Sequence, residues 1–312
     1  VKILSIGNFG KGWDGSICDE EHIASALEEL GHEVTRLQRE ECHQGWEAVG
    51  GHPGLHDIAL ISQYDRYTED FGDYLKQYVD KVVYWAFDYQ ADGQEWHENL
   101  VRHADLYLSK RIADSKYPNW QWLSQDFAPK FLDKWEEPIS IGNYENPIQI
   151  KKDIDVLFTG SYLPWANERN ETIKAVNKSF NLVVHSVNDW PFLERRPPIM
   201  DEGLPELYAR AKVVLSIDHT IEAGYWSDRP AQIMACGGFV LHRYQPLCRS
   251  IFKDHVGYFH DVDDCLYRLE QLLERPQEDL DSVAEAGYVY AQNYMMVGDR
   301  VRDLITIVEG IL

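Results

Sequence analysis

The chain reads as an α/β protein of two parallel-sheet domains in tandem. Two observations predict this. Short apolar runs alternate with helix-spaced segments, which suits parallel strands covered by helices on both faces. The alternation also breaks and restarts between residues 136 and 152, where Pro138, Gly142, Asn146-Pro147 and the charged Lys151-Lys152-Asp153 gather. The length, 312 residues, suits two domains. We place them at 1–146 and 147–312, with the last helix expected to pack back on the first.

In the first domain Val1–Ile6 is a strand and Gly7–Gly15 a glycine-bearing loop. Residues 20–30 carry Ile23, Ala24, Ala26, Leu27 and Leu30 at helical spacing, stopped by Gly31. Glu33–Leu37 resumes extended structure, which completes a βαβ start of the Rossmann-like kind. Gly7, Gly10 and Gly12 only resemble a dinucleotide fingerprint, since glycine-rich first turns are common in this class. We nevertheless keep Gly10, Lys11 and Gly12 as a candidate loop. Asp57–Ser62, Lys81–Asp88 and Ala104–Ser109 are the next strands, and Asp88 falls at a strand end, where ligands of such sheets sit.

In the second domain Asp155–Ser161 is a strand running into a turn, Asn167–Phe180 a helix and Asn181–Ser186 a strand. Leu204–Ala211 is a short helix before the strand Lys212–Ile217. A further strand spans 239–241, and helices span Asp263–Glu274, Ala284–Tyr294 and Val301–Leu312. The stretch from Ser227 to Leu241 organises this half. A loop ends in Arg229, a helix opens at Pro230, Gly237-Gly238 stops it, and a buried strand follows. Free N–H groups at the helix start, beside Arg229, make a seat for a diphosphate. The same pattern also fits an ordinary loop and helix of any α/β domain. Two such halves in tandem are expected to face one another across a cleft, a favoured place for a small-molecule site.

Composition excludes several classes. The net charge is -22, with 13 Lys and Arg against 27 Asp and Glu in residues 1–150, and 17 against 25 in the rest. No basic stripe appears, so non-specific attraction to nucleic acid or an anionic membrane is disfavoured. No apolar run approaches the roughly 20 residues a membrane-crossing helix needs. The five cysteines are scattered without a CxxC pair, so neither a zinc site nor a disulfide framework follows. A reducing, cytoplasmic location is the simplest expectation, and the opening residues read as a strand rather than a signal peptide.

Four segments of the second half resemble GT-B glycosyltransferases, specifically the spore-maturation CgeB-like group. They are Asp155–Ser161 with Arg169, Leu204–Ser216, Gly224–Gly238 and Val283–Arg300. In the first half Leu27–Val34 looks like the phrase that follows the first GT-B helix. The resemblance implies a GT-B fold and sugar transfer from a nucleotide-sugar donor, retaining and without a metal or other cofactor. It also puts Gly160, Ser161, Arg169, Tyr225, Ser227, Asp228 and Gln232 on the donor side. Gln232 departs from the glutamate that many relatives use to hold the donor ribose.

The chemistry matches those residue types. Breaking an anomeric C–O bond passes through an oxocarbenium-like state while negative charge grows on the departing diphosphate. Arg229 supplies a cation there, with Arg169 as a second, and the Gly160-Ser161 backbone approaches the phosphates closely. Asp88 is the candidate base or acceptor-hydroxyl holder. Tyr225 and Trp226 suit stacking or packing equally, as do the seven tryptophans of the first half. His219 fits a structural role. The acceptor is left open among a small molecule, a glycan, a protein side chain and a hydroxymethylated DNA base of the kind phage enzymes decorate. The acidic first half argues against duplex DNA. A homodimer, a binding-only homologue and a nucleotide-sugar epimerase are the other readings.

Overall fold

The computed structural model describes residues 1–12, 16–40, 42, 56–62, 67–87, 94–124, 127–129 and 147–312, with the backbone only of Glu202. Chain contacts divide it into two units, Val1–Gln125 with Val297–Leu312, and Asp126–Met296. The expected linker lies largely outside the described residues.

Among the described residues the first unit has six parallel strands: β1 (Lys2–Gly7), β2 (Glu33–Gln38), β3 (His56–Ile61), β4 (Val79–Trp85), β5 (Leu106–Ser109) and β6 (Trp120–Trp122). Their order is β2-β1-β3-β4-β5-β6. Helix α1 (Asp19–Glu29) buries Ile23, Ala24, Ala26 and Leu27, and Gly31 turns the chain into β2 at φ +87°. Helices α2 (Glu69–Leu75) and α3 (Glu95–His103) complete the crossovers, and α2 is capped by Thr68, whose hydroxyl accepts from Phe71 N–H. The β4 strand ends at Trp85, short of the expected Asp88, which lies outside the described residues.

The second unit orders β11-β10-β9-β7-β8, where β7 is Ile154–Thr159, β8 Leu182–His185, β9 Ala211–Ser216, β10 Val240–Arg243 and β11 Gly257–Phe259. Its helices are α4 (Asn167–Ser179), α5 (Leu204–Ala209), α6 (Arg229–Ala235), α7 (Cys248–Phe252), α8 (Val262–Glu274) and α9 (Gln277–Tyr294). Strand alternation splits the core between the two faces of the sheet. Leu157, Val214 and Val240 join α5, α6 and α9 on one face. Val156, Phe158, Val213, Leu215 and Leu241 join α4 and α8 on the other.

The closing helices start earlier than periodicity suggested. In α9 the buried stripe Leu280, Ala284, Gly287 and Ala291 begins a turn sooner, masked in sequence by the acidic residues around it. Helix α10 (Val297–Glu309) buries Val297, Val301, Leu304, Ile305 and Val308; it belongs to the first unit and packs on α1. No described helix is long and apolar enough to cross a membrane.

Candidate functional site

In the second unit β7 leads through α4 to β8 on one side of the sheet, while β9 and β10 follow on the other. The strand order therefore reverses between β7 and β9, and ligands of open α/β sheets bind outside the carboxyl ends at such a point. Gly160-Ser161 leaves β7 there, and Asp218 leaves β9. Arg169 in the first turn of α4 and Arg229 at the start of α6 reach the same place.

The Phe158 ring joins the two arginines. The Arg169 guanidinium carbon lies 5.2 Å from the ring centroid and that of Arg229 lies 5.8 Å from it. Arg169 also stands 6.0 Å from the Trp190 ring and donates from Nη2 to the Ser161 carbonyl. A side chain at position 160 would block this approach: a Cβ there would come within 2.9 Å of Arg169 Nη2 and 3.0 Å of Phe158 Cζ. Among the described residues, neither arginine forms an ion pair with a carboxylate.

Arg169 is 5% exposed. Burial, followed by the positive field of Arg229, pushes its pKa down to about 9, with Asp218 and Tyr225 only partly offsetting them. It still carries its charge at neutral pH. Nearby, Arg169 Nε, Asp218 Oδ2, Ser227 Oγ and Trp190 Nε1 are buried without a hydrogen-bond partner. A buried polar atom left unpaired costs about 1–3 kcal/mol, so such a group marks a place where a ligand or water completes the structure.

The loop between β9 and α6 is pinned from beneath. Asp218 Oδ1 accepts from Ser227 N–H at 3.0 Å. Gln245, fully buried, accepts from Glu222 N–H at 3.1 Å and donates to the Thr220 carbonyl at 2.7 Å. Burial raises the Asp218 carboxyl, but His242, Ser227 and Arg229 outweigh it and hold it below the ordinary 3.8. A depressed carboxyl stabilises the fold above its unfolded pKa, and that stability is lost as pH falls through the folded value. We therefore expect Asp218→Asn to lower Tm at pH 7, and the gap from the parent to close below about pH 3.8. A constant gap across a pH series would remove this role.

The structure thus brings Gly160, Ser161, Arg169 and Arg229 together. Ser227 and Asp228 lie on the same loop, but their roles are local: Ser227 N–H is bound by Asp218, and Gln232 donates its amide to the Asp228 carboxylate. Helix α6 spans seven residues, so the arginines rather than a helix dipole supply most of the positive charge. Tyr225 is 3% exposed with its hydroxyl 3.4 Å from His219 Nε2, and Trp226 is core, edge-on to Phe252.

In the first unit Gly10, Lys11 and Gly12 form a loop closed on itself. Lys11 bridges Ile17, Gly12 N–H donates to Ser16, and Gly10 N–H is taken by the Glu21 carboxylate at 3.2 Å. Asp88 lies outside the described residues. So do Trp13, Trp46 and Trp135; Trp85 is fully buried, Trp96 and Trp120 flank the core, and Trp122 is 37% exposed. Sequence reasoning missed Phe158, Asp218 and Gln245. Asp218 had a signal, an acid just past an apolar strand, which is the argument we applied to Asp88.

Among the described residues no group of three or more His, Cys, Asp or Glu side chains is placed to hold a metal ion.

A family model described as glycosyl transferase-like matches residues 168–306, which include Arg169, Asp218 and Arg229. No curated protein matches. Solved structures similar to the chain over its whole length include an α-glucosyltransferase in complex with UDP and a 13-mer DNA, at 12% identity and TM-score 0.67, covering 99% of each chain. A sucrose-phosphate synthase from Thermosynechococcus elongatus gives 10% identity and TM-score 0.68 over 100% of this chain and 99% of that one. Anabaena HepE in complex with UDP-glucose gives 10% and 0.62, covering 99% of each chain. The fold is that of GT-B glycosyltransferases, with two parallel-sheet α/β domains.

Proposed function

We propose that the chain transfers a sugar from a nucleoside-diphosphate donor, a UDP-sugar, to an acceptor hydroxyl, with retention and without a metal. The observation that carries this is Arg169, a buried guanidinium with no carboxylate partner among the described residues, which shares the Phe158 ring with a second arginine, and feels its positive field, at the strand-order reversal. Two cations held this close call for an anion, and a diphosphate supplies one. UDP in the α-glucosyltransferase complex and UDP-glucose in the HepE complex support the choice of nucleotide.

In the reaction the anomeric C–O bond to the diphosphate breaks and its electron pair stays on the phosphate oxygen. A new bond forms from the acceptor oxygen, and the acceptor proton leaves to that phosphate oxygen. Arg169 and Arg229 neutralise the charge that grows on the leaving group, the work a metal does elsewhere. Turnover is therefore expected to survive EDTA unchanged.

The charge of the chain favours an uncharged or cationic acceptor, such as a small alcohol, a glycan or a protein side chain, over duplex DNA. A low-salt gel shift with duplex DNA is expected to show no complex.

Ligand-induced stabilisation tests the donor site. UDP at a hundredfold excess over its Kd adds about 2.7 kcal/mol to the folded state, which a thermal melt reads as a rise of several degrees. Uridine, which lacks the diphosphate, is expected to give almost none of it. Equal shifts from the two would remove the arginine pair from the site. Slow release of free sugar from UDP-glucose without acceptor separates an enzyme from a binder.

A further inference from the structure

We propose that the second unit carries a separate site for a small amphiphilic carboxylate at the opposite end of its sheet. A cavity of about 290 Å3 opens beside β11, the edge strand, under the second half of α8. Phe239, Leu241, Val256, Leu272 and Val283 supply its apolar lining. These residues gather at the amino-terminal ends of β10 and β11, whereas Arg169 and Arg229 serve the carboxyl ends of the sheet. The cavity is open to solvent on one side, and its volume is larger than that of an enclosed cavity of about 150 Å3 that takes benzene, so an aromatic ring with a short arm fits by size.

Gly257 keeps the cavity open. It pairs with Leu241 across the strand, and an added Cβ would stand 3.3 Å from Leu241 Cδ1 and 3.4 Å from Phe239 Cζ. Its φ lies outside the left-handed region, so the backbone does not require glycine here. Glycine is kept here by the close packing of Leu241 and Phe239, and the absence of a side chain leaves that much more of the cavity unfilled.

The rim supplies the anion preference. Tyr267 and Gln271, one turn apart on α8, and Arg275, the extended residue that caps its carboxyl end, border the cavity. Among the described residues, none of the three makes a side-chain hydrogen bond or ion pair. The other charged rim groups are already engaged: Arg268 with Asp264 at 3.1 Å, and Asp254 with Arg249 at 2.8 Å. An apolar floor below one uncommitted guanidinium and an amide fits a ring whose carboxylate meets Arg275 in a fork.

The test uses 3-phenylpropanoate as the probe and the whole chain. Calorimetry or ligand-observed NMR is expected to show saturable binding with a Kd on the order of 1 mM or tighter. The neutral 3-phenylpropanamide is expected to bind roughly tenfold more weakly, as is the carboxylate to the Arg275→Ala variant. Gly257→Leu fills the cavity and is expected to abolish binding. Both variants are expected to keep the UDP-induced rise in Tm, which separates this site from the donor site and reports that each has folded. Absence of binding to the parent chain, equal binding of acid and amide, or unchanged binding to Arg275→Ala would each overturn the proposal.

Discussion

Replacing Arg229 by alanine is expected to lower donor turnover by about two to three orders of magnitude and leave the fold intact. The size follows from what the side chain does. On the proposed reading its charge faces the leaving diphosphate, which becomes more negative as the anomeric bond lengthens, so the interaction would strengthen toward the transition state. Losing one preorganised charge donor of this kind costs about 3–4 kcal/mol in other enzymes. The fold is expected to tolerate the change because Arg229 is only half-buried and forms no ion pair with a described carboxylate, and the loss of its field at Asp218 is offset by relief of its repulsion with Arg169. It stands over the Phe158 ring, and a cation over an aromatic face is worth about 0.5–2 kcal/mol. Release of free glucose from UDP-glucose gives the rate, and a melt of the free protein gives the stability. A fall mainly in kcat fits a transition-state role; a rise in KM alone would reduce Arg229 to uniform binding. Near-normal turnover would take it out of the site.

How much of this was legible in the sequence follows from how each feature is encoded. Strands such as Val156-Leu157-Phe158 and Val213-Val214-Leu215 are apolar at every position because helices cover both faces of the sheet, so they announce themselves as runs. The place of Arg229 at a helix start is legible because Pro230 and Gly237 bracket a helix that punctuation alone defines. Phe158 was not, since nothing local separates a phenylalanine that packs the core from one that also seats two guanidinium groups. Asp218 and Gln245 act by pinning a loop from beneath across 9 to 25 residues of sequence, a pairing that periodicity does not carry. The glycine loop shows the converse. Gly10 and Gly12 look like a phosphate cradle in sequence, yet the fold brings Glu21 to Gly10 N–H and puts a negative charge where an anion would sit. Helix α9 begins before the residues whose periodicity shows it, because Glu278, Asp279 and Asp281 obscure the apolar stripe that Leu280 begins.

Arg169→Met is expected to separate stability from function in opposite directions. The folded state holds the Arg169 guanidinium in a place that depresses its pKa from 12.5 to about 9, of order several kcal/mol against the charged form. The sign is that of a base with a lowered folded pKa: below about pH 9 both states are protonated and the full cost is present, and stability rises only as pH climbs toward the unfolded value. At neutral pH the free protein therefore carries this cost in full. Methionine is close in length and apolar, and it removes the charge while keeping contact with Phe158 and Trp190. Against that gain stands the loss of one hydrogen bond to the Ser161 carbonyl, worth about 1.5–3 kcal/mol for a charged donor. Buried charges replaced by apolar groups of similar volume commonly leave a net gain, here expected at about 1–3 kcal/mol, or a Tm higher by a few degrees. The same variant is expected to lose most of the UDP-induced shift and most of its turnover, because the anion no longer meets the cation that needs it. Gly160→Val is expected to lose UDP binding as well, but with a lower Tm, since its side chain strikes the guanidinium and the Phe158 ring. An Arg169→Met protein that melts below the parent yet still binds UDP would mean that Arg169 holds the fold together and takes no part in gripping the donor.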